Sequence, residues 1–342
     1  MKILLVGSDS NYSIEKYYLK YLGQEPGVIC DIFTAQNLFL DYYQRSLTNK
    51  IIFRLGYKNI YKSINYQLLK KIENFSPDVL FVFKGMEILP KTLTIIKKKG
   101  IFLANYNPDN PFIFSGRGSG NKNISNSIGL YDLHFTYHTG IQSEIENVYK
   151  IPSILLPFGF ELPPETDKII KDCQEIQKVC FIGNPDKYRS TFITNLANLG
   201  LEIDVYGNNW SKYVNHKNIS VNRAVFELEF WNKLRTYRVQ LNYMRPHNLE
   251  SHNMRSFEIP AIGGIQVAPN TFDHRTYFIN GENIFLYNNE LECYKICVHL
   301  LHASKISIMT IRENAMRHSF SNNYSYRQRA KIVYNTLANK VN

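Results

Sequence analysis

Short apolar runs punctuate the first half of the chain and alternate with amphipathic stretches. Lys2–Gly7, Val28–Phe33, Val79–Lys84, Ile101–Tyr106, Leu133–Tyr137 and Ser153–Leu156 are rich in β-branched and aromatic residues and have the length of buried strands. Between them, Ile14–Leu22, Leu68–Phe75 and Leu93–Lys98 repeat apolar residues at helical spacing. This alternation predicts an α/β fold with a parallel, doubly wound sheet, since parallel strands need a crossover connection. Such sheets bind ligands beyond the carboxyl ends of their strands, so the residues that follow each strand are the ones to inspect.

The run Leu156-Pro157-Phe158-Gly159-Phe160-Glu161-Leu162-Pro163-Pro164 then breaks regular structure repeatedly and reads as a hinge. One helical segment follows, Ile169–Ile176, and the pattern restarts. Lys178–Gly183 reads as a strand, Tyr188–Leu199 as a helix, and Leu201–Gly207 as the next strand. Further strands are expected at Val239–Tyr243, Gly264–Ala268 and Asn283–Leu286, and Tyr326–Asn339 reads as a basic helix. The expected organisation is a first domain over 1–160, a linker over 161–177, a second domain over 178–320 and a closing helix over 321–342 that can cross back to the first. A length of 342 residues suits two such domains better than one.

Composition narrows the class. Hydrophobic residues make up 44% and charged residues 20%, a globular profile with material for two cores. The first apolar run is too short for a signal sequence or a membrane span, which points to a cytoplasmic location. The five cysteines are scattered and build no zinc spacing, so reduced thiols are expected. The net charge of +11 is uneven: Tyr42 to Lys99 holds 12 Lys/Arg against 3 acidic residues. That patch can attract an anionic surface, or it can be the solvated side of ordinary helices. No nucleic-acid recognition motif accompanies it, and no nucleic-acid partner is expected. Within 49–71, aromatic and aliphatic residues interleave with Lys and Arg. This pattern fits either a peripheral contact with a membrane or a core-facing helix with a basic outer side.

The stretch from Leu241 to Tyr287 carries most of the chemistry. In Asn253-Met254-Arg255-Ser256-Phe257-Glu258-Ile259-Pro260-Ala261-Ile262-Gly263-Gly264 a short helix ends at a Gly-Gly pair and leads into a buried strand. A helix N-terminus favours an anion, so a pyrophosphate near Asn253, Met254 and Arg255 suits this arrangement. Glu258, one turn further on, can accept hydrogen bonds from ribose hydroxyls, or it can be a solvated helix residue. In the first half, Asn105-Tyr106-Asn107-Pro108-Asp109-Asn110-Pro111 follows a strand and sets Asp109 at the tip of a turn. Asp109 is a candidate for binding or deprotonating an acceptor hydroxyl, and an Asp that merely caps its turn gives the same pattern. Ser115–Gly120 reads as a mobile loop and lacks the signature of a phosphate cradle. His138 and Gly7 follow strands and are candidates at the same edge. No Asp-x-Asp pair occurs, so no obligatory metal is expected.

Taken in order, Phe181-Ile182-Gly183, Arg189, Val205-Tyr206-Gly207-Asn208-Asn209-Trp210, Leu241-Asn242, Arg255-Ser256-Phe257-Glu258 with Gly263-Gly264, and Phe278-Ile279-Asn280-Gly281-Glu282-Asn283 resemble the C-terminal domain of group 1 glycosyltransferases. The likeness is to the branch of the CgeB-like spore-maturation proteins. Pro77–Gly85 and Asn107–Pro111 are similar to the N-terminal domain of the same group. The resemblance implies a GT-B fold, two Rossmann-like domains facing a central cleft, and a metal-independent transfer from a nucleotide-sugar donor, UDP-linked by preference, to a glycan or lipid-linked acceptor. It implies donor contacts from Gly183, Asn184, Arg189, Tyr206, Gly207, Asn253, Met254, Arg255, Glu258, Gly263 and Gly264. Arg189 would neutralise the departing diphosphate, and the two glycines would let the backbone approach the donor. Glu250, eight residues before Glu258, reproduces the paired-glutamate spacing of retaining GT-B families, where the first Glu meets the donor sugar. The acceptor side would draw on Gly7, Lys84, Asp109 and Asn110. A hexosyl or N-acetylhexosaminyl group is the expected cargo, with retention slightly preferred and an inverting reaction on Asp109 left open. A nucleotide-sugar epimerase or hydrolase and a non-catalytic scaffold are the alternatives.

Overall fold

The computed structural model describes residues 1–11, 13–55, 60–114, 119–244 and 250–341. The chain forms two compact units, Met1–Pro157 together with Tyr326–Asn342, and Phe158–Ser325.

In the first unit, strands β1 (Lys2–Val6), β2 (Ile29–Phe33), β3 (Val79–Phe83), β4 (Phe102–Asn107), β5 (Leu133–Thr136) and β6 (Ser153–Leu155) form one parallel sheet ordered β2-β1-β3-β4-β5-β6. All five residues of β3, Val-Leu-Phe-Val-Phe, are buried. Layers of helices cover both sheet faces, which is why the strand reads as a continuous apolar run. The helices are α1 (Glu15–Leu22), α2 (Ala35–Gln44), α3 (Leu47–Arg54), α4 (Ile60–Phe75), α5 (Pro90–Lys98), the single turn α6 (Lys122–Ser125) and α7 (Thr139–Glu144). One face packs Leu4, Val6, Leu80, Val82 and Leu103 against Ile64, Leu68 and Ile96. On the other, Tyr18 of α1 meets Phe81, Phe83 and Tyr106 edge-on or tilted.

The second unit repeats the plan with α8 (Thr166–Lys171), β7 (Ile176–Ile182), α9 (Lys187–Asn198), β8 (Ile203–Tyr206), β9 (Ile219–Asn222), α10 (Glu227–Thr236), β10 (Tyr237–Leu241), α11 (Met254–Ala261), β11 (Gln266–Pro269), α12 (Phe272–Tyr277), β12 (Phe285–Tyr287), α13 (Glu290–His302) and α14 (Lys305–Ser321). Its parallel sheet runs β12-β11-β10-β7-β8-β9. Side-chain caps start several helices: Asp186 accepts from Tyr188 and Arg189 amides for α9, and Asn289 from the Glu292 amide for α13. The last helix, α15 (Tyr326–Val341), belongs to the first unit, where Tyr326 stacks on Tyr17 of α1 at 5.0 Å.

Several elements differ from the sequence pattern. The helix expected over Ile169–Ile176 ends at Lys171, and Ile176 already belongs to β7. Glu175 sits between them because tertiary contacts claim its carboxylate: Arg238 binds one oxygen and Arg312 the other, at 2.5 and 3.1 Å. Edge strand β9, which exposes Ser220 and Val221, gave no apolar run. Of the 49–71 segment, residues 56–59 lie outside the described residues, as do 115–118 of the expected mobile loop. Among the described residues, no helix is long and apolar enough to cross a membrane.

Glu175→Gln would leave two guanidiniums, 10% and 5% exposed, without their counter-charge. Breaking such a pair costs about 3–5 kcal/mol when fully buried, and about 3 kcal/mol is expected here because Glu175 itself is partly exposed. Urea denaturation of the variant against the parent measures this loss.

Candidate functional site

Each sheet reverses its winding direction once, between β1 and β3 in the first unit and between β7 and β10 in the second. At such a switch point the two crossover helices diverge onto opposite faces, leaving a crevice at the carboxyl ends of the strands.

In the second unit that crevice is spanned by Arg189. Its Nη1 donates to the Asn184 carbonyl after β7 at 3.1 Å, and Nη2 to the Tyr243 carbonyl after β10 at 3.3 Å. The guanidinium also lies 5.6 Å from the Phe181 ring, so a permanently charged group is fixed at the strand ends. Arg255, in the first turn of α11, comes to the same edge: its Nε donates to the Ile182 carbonyl at 3.4 Å and its guanidinium stacks 4.2 Å over Phe230. The Arg255 guanidinium is paired with the Glu258 carboxylate, which is buried. Two arginines and the start of α11 therefore converge on the end of β7.

A buried polar network holds the start of α11 in place. Asn253 caps the helix by accepting from the Ser256 amide, while Ser256 Oγ accepts from the Asn253 amide, a reciprocal capping box. Asn242, just beyond β10, donates to Ser256 Oγ at 3.2 Å and accepts from Asn253 Nδ2 at 2.7 Å. The Ser256 hydroxyl in turn donates to His274 Nε2 at 2.8 Å, and His274 Nδ1–H donates to the Pro269 carbonyl. Burial pushes the His274 pKa down to about 4, so the ring is neutral and can take both roles. A second buried pair lies nearby: His252 Nδ1 bonds Asp273 at 2.7 Å and its Nε2 accepts from the Phe158 amide. With both ring nitrogens engaged, His252 locks the loop and is poorly placed as a base.

Glu250 has a left-handed backbone (φ 62°), and its carboxylate accepts from the Phe272 amide at the start of α12. Strain of this kind persists only where surrounding contacts over-determine it. Glu250 lines a cavity of about 630 Å³ within the second unit, together with Tyr188, Tyr243, Thr271, Tyr287 and Glu290. The size suits a small polar ligand, and the aromatic faces suit the C–H surface of a sugar ring.

The glycine assignments need correction. Gly263 is the left-handed residue that ends α11, and a Cβ there would stand 2.5 Å from Arg235 Nη1. A Cβ on Gly264 would meet the Ile259 and Leu234 carbonyls at 2.9 Å. Both precede β11, at the edge opposite the strands' carboxyl ends, so they pack α11 and make no approach to a donor there. At Gly207 a Cβ would lie 2.4 Å from the Gly183 carbonyl oxygen, which also accepts from Trp210 Nε1. The close approach is of chain to chain. Asn184 Oδ1 accepts from the Asn208 amide and completes that seam. Tyr206 turns its hydroxyl back to Tyr237, whose own O–H donates to Asp204 at 2.6 Å. The hydroxyl is thus directed away from the crevice.

In the first unit, a Cβ on Gly7 would stand 2.6 Å from Glu15 Oε1, which accepts from the Ser8 amide at 3.1 Å. This replaces the reading of Gly7 as room for an acceptor. Lys84, left-handed at φ 60° beyond β3, pairs with Asp109 at 2.7 Å. Asn107 Oδ1 accepts from the Asp109 amide, so the turn and the ion pair fix Asp109 together. Asn110 is spent on its own turn, accepting from Phe112 and Ile113 amides. His138 is half-buried at the start of α7 and makes no cap with its side chain. Two carboxyls were missed in the sequence, Glu15 and Glu87. Burial raises the pKa of each to about 7, opposed first by hydrogen bonds from backbone amides and then by the charge of Lys84.

Residues 189–334 match the family model described as glycosyl transferase-like. No curated protein matches the sequence. Sucrose-phosphate synthase from Thermosynechococcus elongatus superposes over 100% of this chain and 99% of its own, with a TM-score of 0.71 at 10% identity. HepE of Anabaena, solved in complex with UDP, gives 0.65 at 13% identity over 99% and 100% of the two chains. UDP-GlcNAc 2-epimerase from Neisseria meningitidis, bound to UDP-GlcNAc, gives 0.59 at 12% identity over 99% and 100%. The two six-stranded parallel units thus constitute a GT-B fold.

The raised carboxyls make stability depend on pH. A carboxyl whose folded pKa lies above its unfolded value binds more protons when folded, so its contribution is full below about pH 4.5 and lost as pH rises through about 7. Chemical denaturation at pH 5 and pH 8 is expected to show a loss for the parent that is reduced in Glu15→Gln and again in Glu87→Gln.

Proposed function

We propose that the protein is a glycosyltransferase that takes a sugar from a nucleotide donor, UDP-linked, held by the second unit. The observation that carries this reading is Arg189 bridging the ends of β7 and β10 with Arg255 and the start of α11 beside it. When the glycosidic bond to a nucleotide breaks, negative charge grows on the leaving diphosphate, and preorganised cations and amides are what lower that barrier. The pocket bounded by Glu250 and Tyr243 receives the sugar, and retention is preferred on the paired spacing of Glu250 and Glu258. Glu258, buried against Arg255, exchanges part of that pairing for the ribose hydroxyls. On the first unit, Asp109 with Lys84 receives the acceptor hydroxyl of a glycan or lipid-linked glycan. The reaction needs no metal on this account, because the two arginines carry the charge, and we place the chain with the CgeB-like branch. Epimerisation is less favoured: it requires acid and base groups around the sugar, and the second unit's buried histidines, His252 and His274, are committed at both nitrogens.

Titration calorimetry with UDP, GDP, CMP, dTDP and ADP tests the donor site. UDP is expected to bind, and Arg189→Ala to weaken it at least tenfold, since a hydrogen bond to a charged group is worth about 1.5–3 kcal/mol. Arg189→Lys should recover part of the loss if charge at that place is what matters. Absence of binding by every nucleotide at millimolar concentration, or undiminished binding by folded Arg189→Ala, would refute the assignment.

A further inference from the structure

The outer face of α3 carries an exposed apolar stripe that the proposed reaction does not use. Leu47, Ile51 and Leu55 follow one another at four-residue spacing and are 75%, 53% and 62% exposed. Residues four apart share one face of a helix, so the three form a continuous ridge. The ridge is not a frayed end. Ser46 caps the helix through the Asn49 amide, and Asn49 Nδ2 donates to the Tyr42 carbonyl. On the opposite face Phe53 packs edge-on against Phe39, Tyr43 and Tyr61 at 5.1–5.7 Å. The helix is therefore anchored by its aromatic side and presents its aliphatic side outward.

Its surroundings are predominantly cationic, with Asp41 the exposed acid of α2 and Lys71 paired with Asp31. From Tyr42 to Ile72 the sequence holds seven Lys/Arg and no Asp or Glu. Arg45 and Arg54 are exposed on or beside α3, and α4 adds exposed Lys62 and Lys70. Tyr66, 59% exposed, lies under the Lys70 ammonium at 4.7 Å, an amphipathic pair of the kind that settles at a membrane interface. A solvated helix face gives no reason for three large aliphatics in a row. A second copy of this chain would bring two predominantly like-charged surfaces together.

We propose that α3 is an interfacial anchor that docks the protein onto an anionic bilayer. Leu47, Ile51 and Leu55 would lie below the headgroups, and the Lys and Arg side chains around them would face lipid phosphates. The attachment is peripheral and reversible. It goes beyond the glycosyltransferase reading and does not depend on it, because it concerns a surface with no role in donor binding.

Flotation of the full chain with vesicles of phosphatidylglycerol and phosphatidylcholine, against phosphatidylcholine alone, tests the proposal without nucleotide or acceptor. The protein is expected to float with the anionic vesicles only, and to be partly released at about 0.5 M salt, where surface charges are screened. Ile51→Glu, at an exposed position, should lower the bound fraction about tenfold with an unchanged circular dichroism spectrum. Arg54→Ser should weaken binding more modestly. No flotation of the parent, equal binding to neutral vesicles, or undiminished binding by Ile51→Glu would overturn it. So would a dimer in light scattering that Ile51→Glu converts to monomer, since the ridge would then be a contact between copies.

Discussion

The second unit is organised around a constraint that parallel sheets cannot avoid. Where the winding reverses beside the first strand, two strand ends are left without a helix across them, and the backbone carbonyls there need partners. One side chain, Arg189, supplies them for Asn184 and Tyr243 at once. The cost of fixing a guanidinium is offset by those two carbonyls and by the Phe181 ring, and the result is a cation held in place before any ligand arrives. Preorganisation of that kind is what makes a charge useful in a reaction that expels a diphosphate.

Everything else at that edge serves to keep the geometry from drifting. The hydrogen-bond chain from Asn242 through Asn253 and Ser256 to His274 ties the end of β10 to the start of α11 and to the end of β11. Each hydroxyl and amide in it donates and accepts in a consistent sense, which buried networks must do to stabilise rather than destabilise. The His252–Asp273 pair performs the same service for the loop that carries Glu250, whose left-handed backbone is held by amides of α12.

The sequence made the strands legible because both faces of each sheet are covered, so β1 from Ile3, β3, and β7 from Val179 appear as unbroken apolar runs. Edge strand β9 was not, since half of it faces outward. Helix α14 was missed for a related reason: its buried positions include Arg312 and Ser319, which do not read as an apolar stripe. At the candidate site, the convergence of Arg189, Arg255 and Glu258 on the end of β7 follows residues already singled out by their order along the chain. The roles of Gly207, Gly263 and Gly264 could not be read in that way, because a glycine demanded by a neighbouring carbonyl looks the same as one demanded by a ligand. The histidine pairs were illegible as well. Ser256 and His274 stand 18 residues apart, and only the packing of two helices brings them together. Glu15 and Glu87 read like any surface acids, and their burial is something no local pattern reveals.

The central claim, that the crevice between β7 and β10 is where a nucleoside diphosphate sits, is tested most directly by hydrogen exchange with and without UDP. Protection is expected in amides of 182–189, 242–244 and 253–258, with the sheet of the first unit unchanged. Protection confined to the first unit, or absent from the start of α11, would contradict the account.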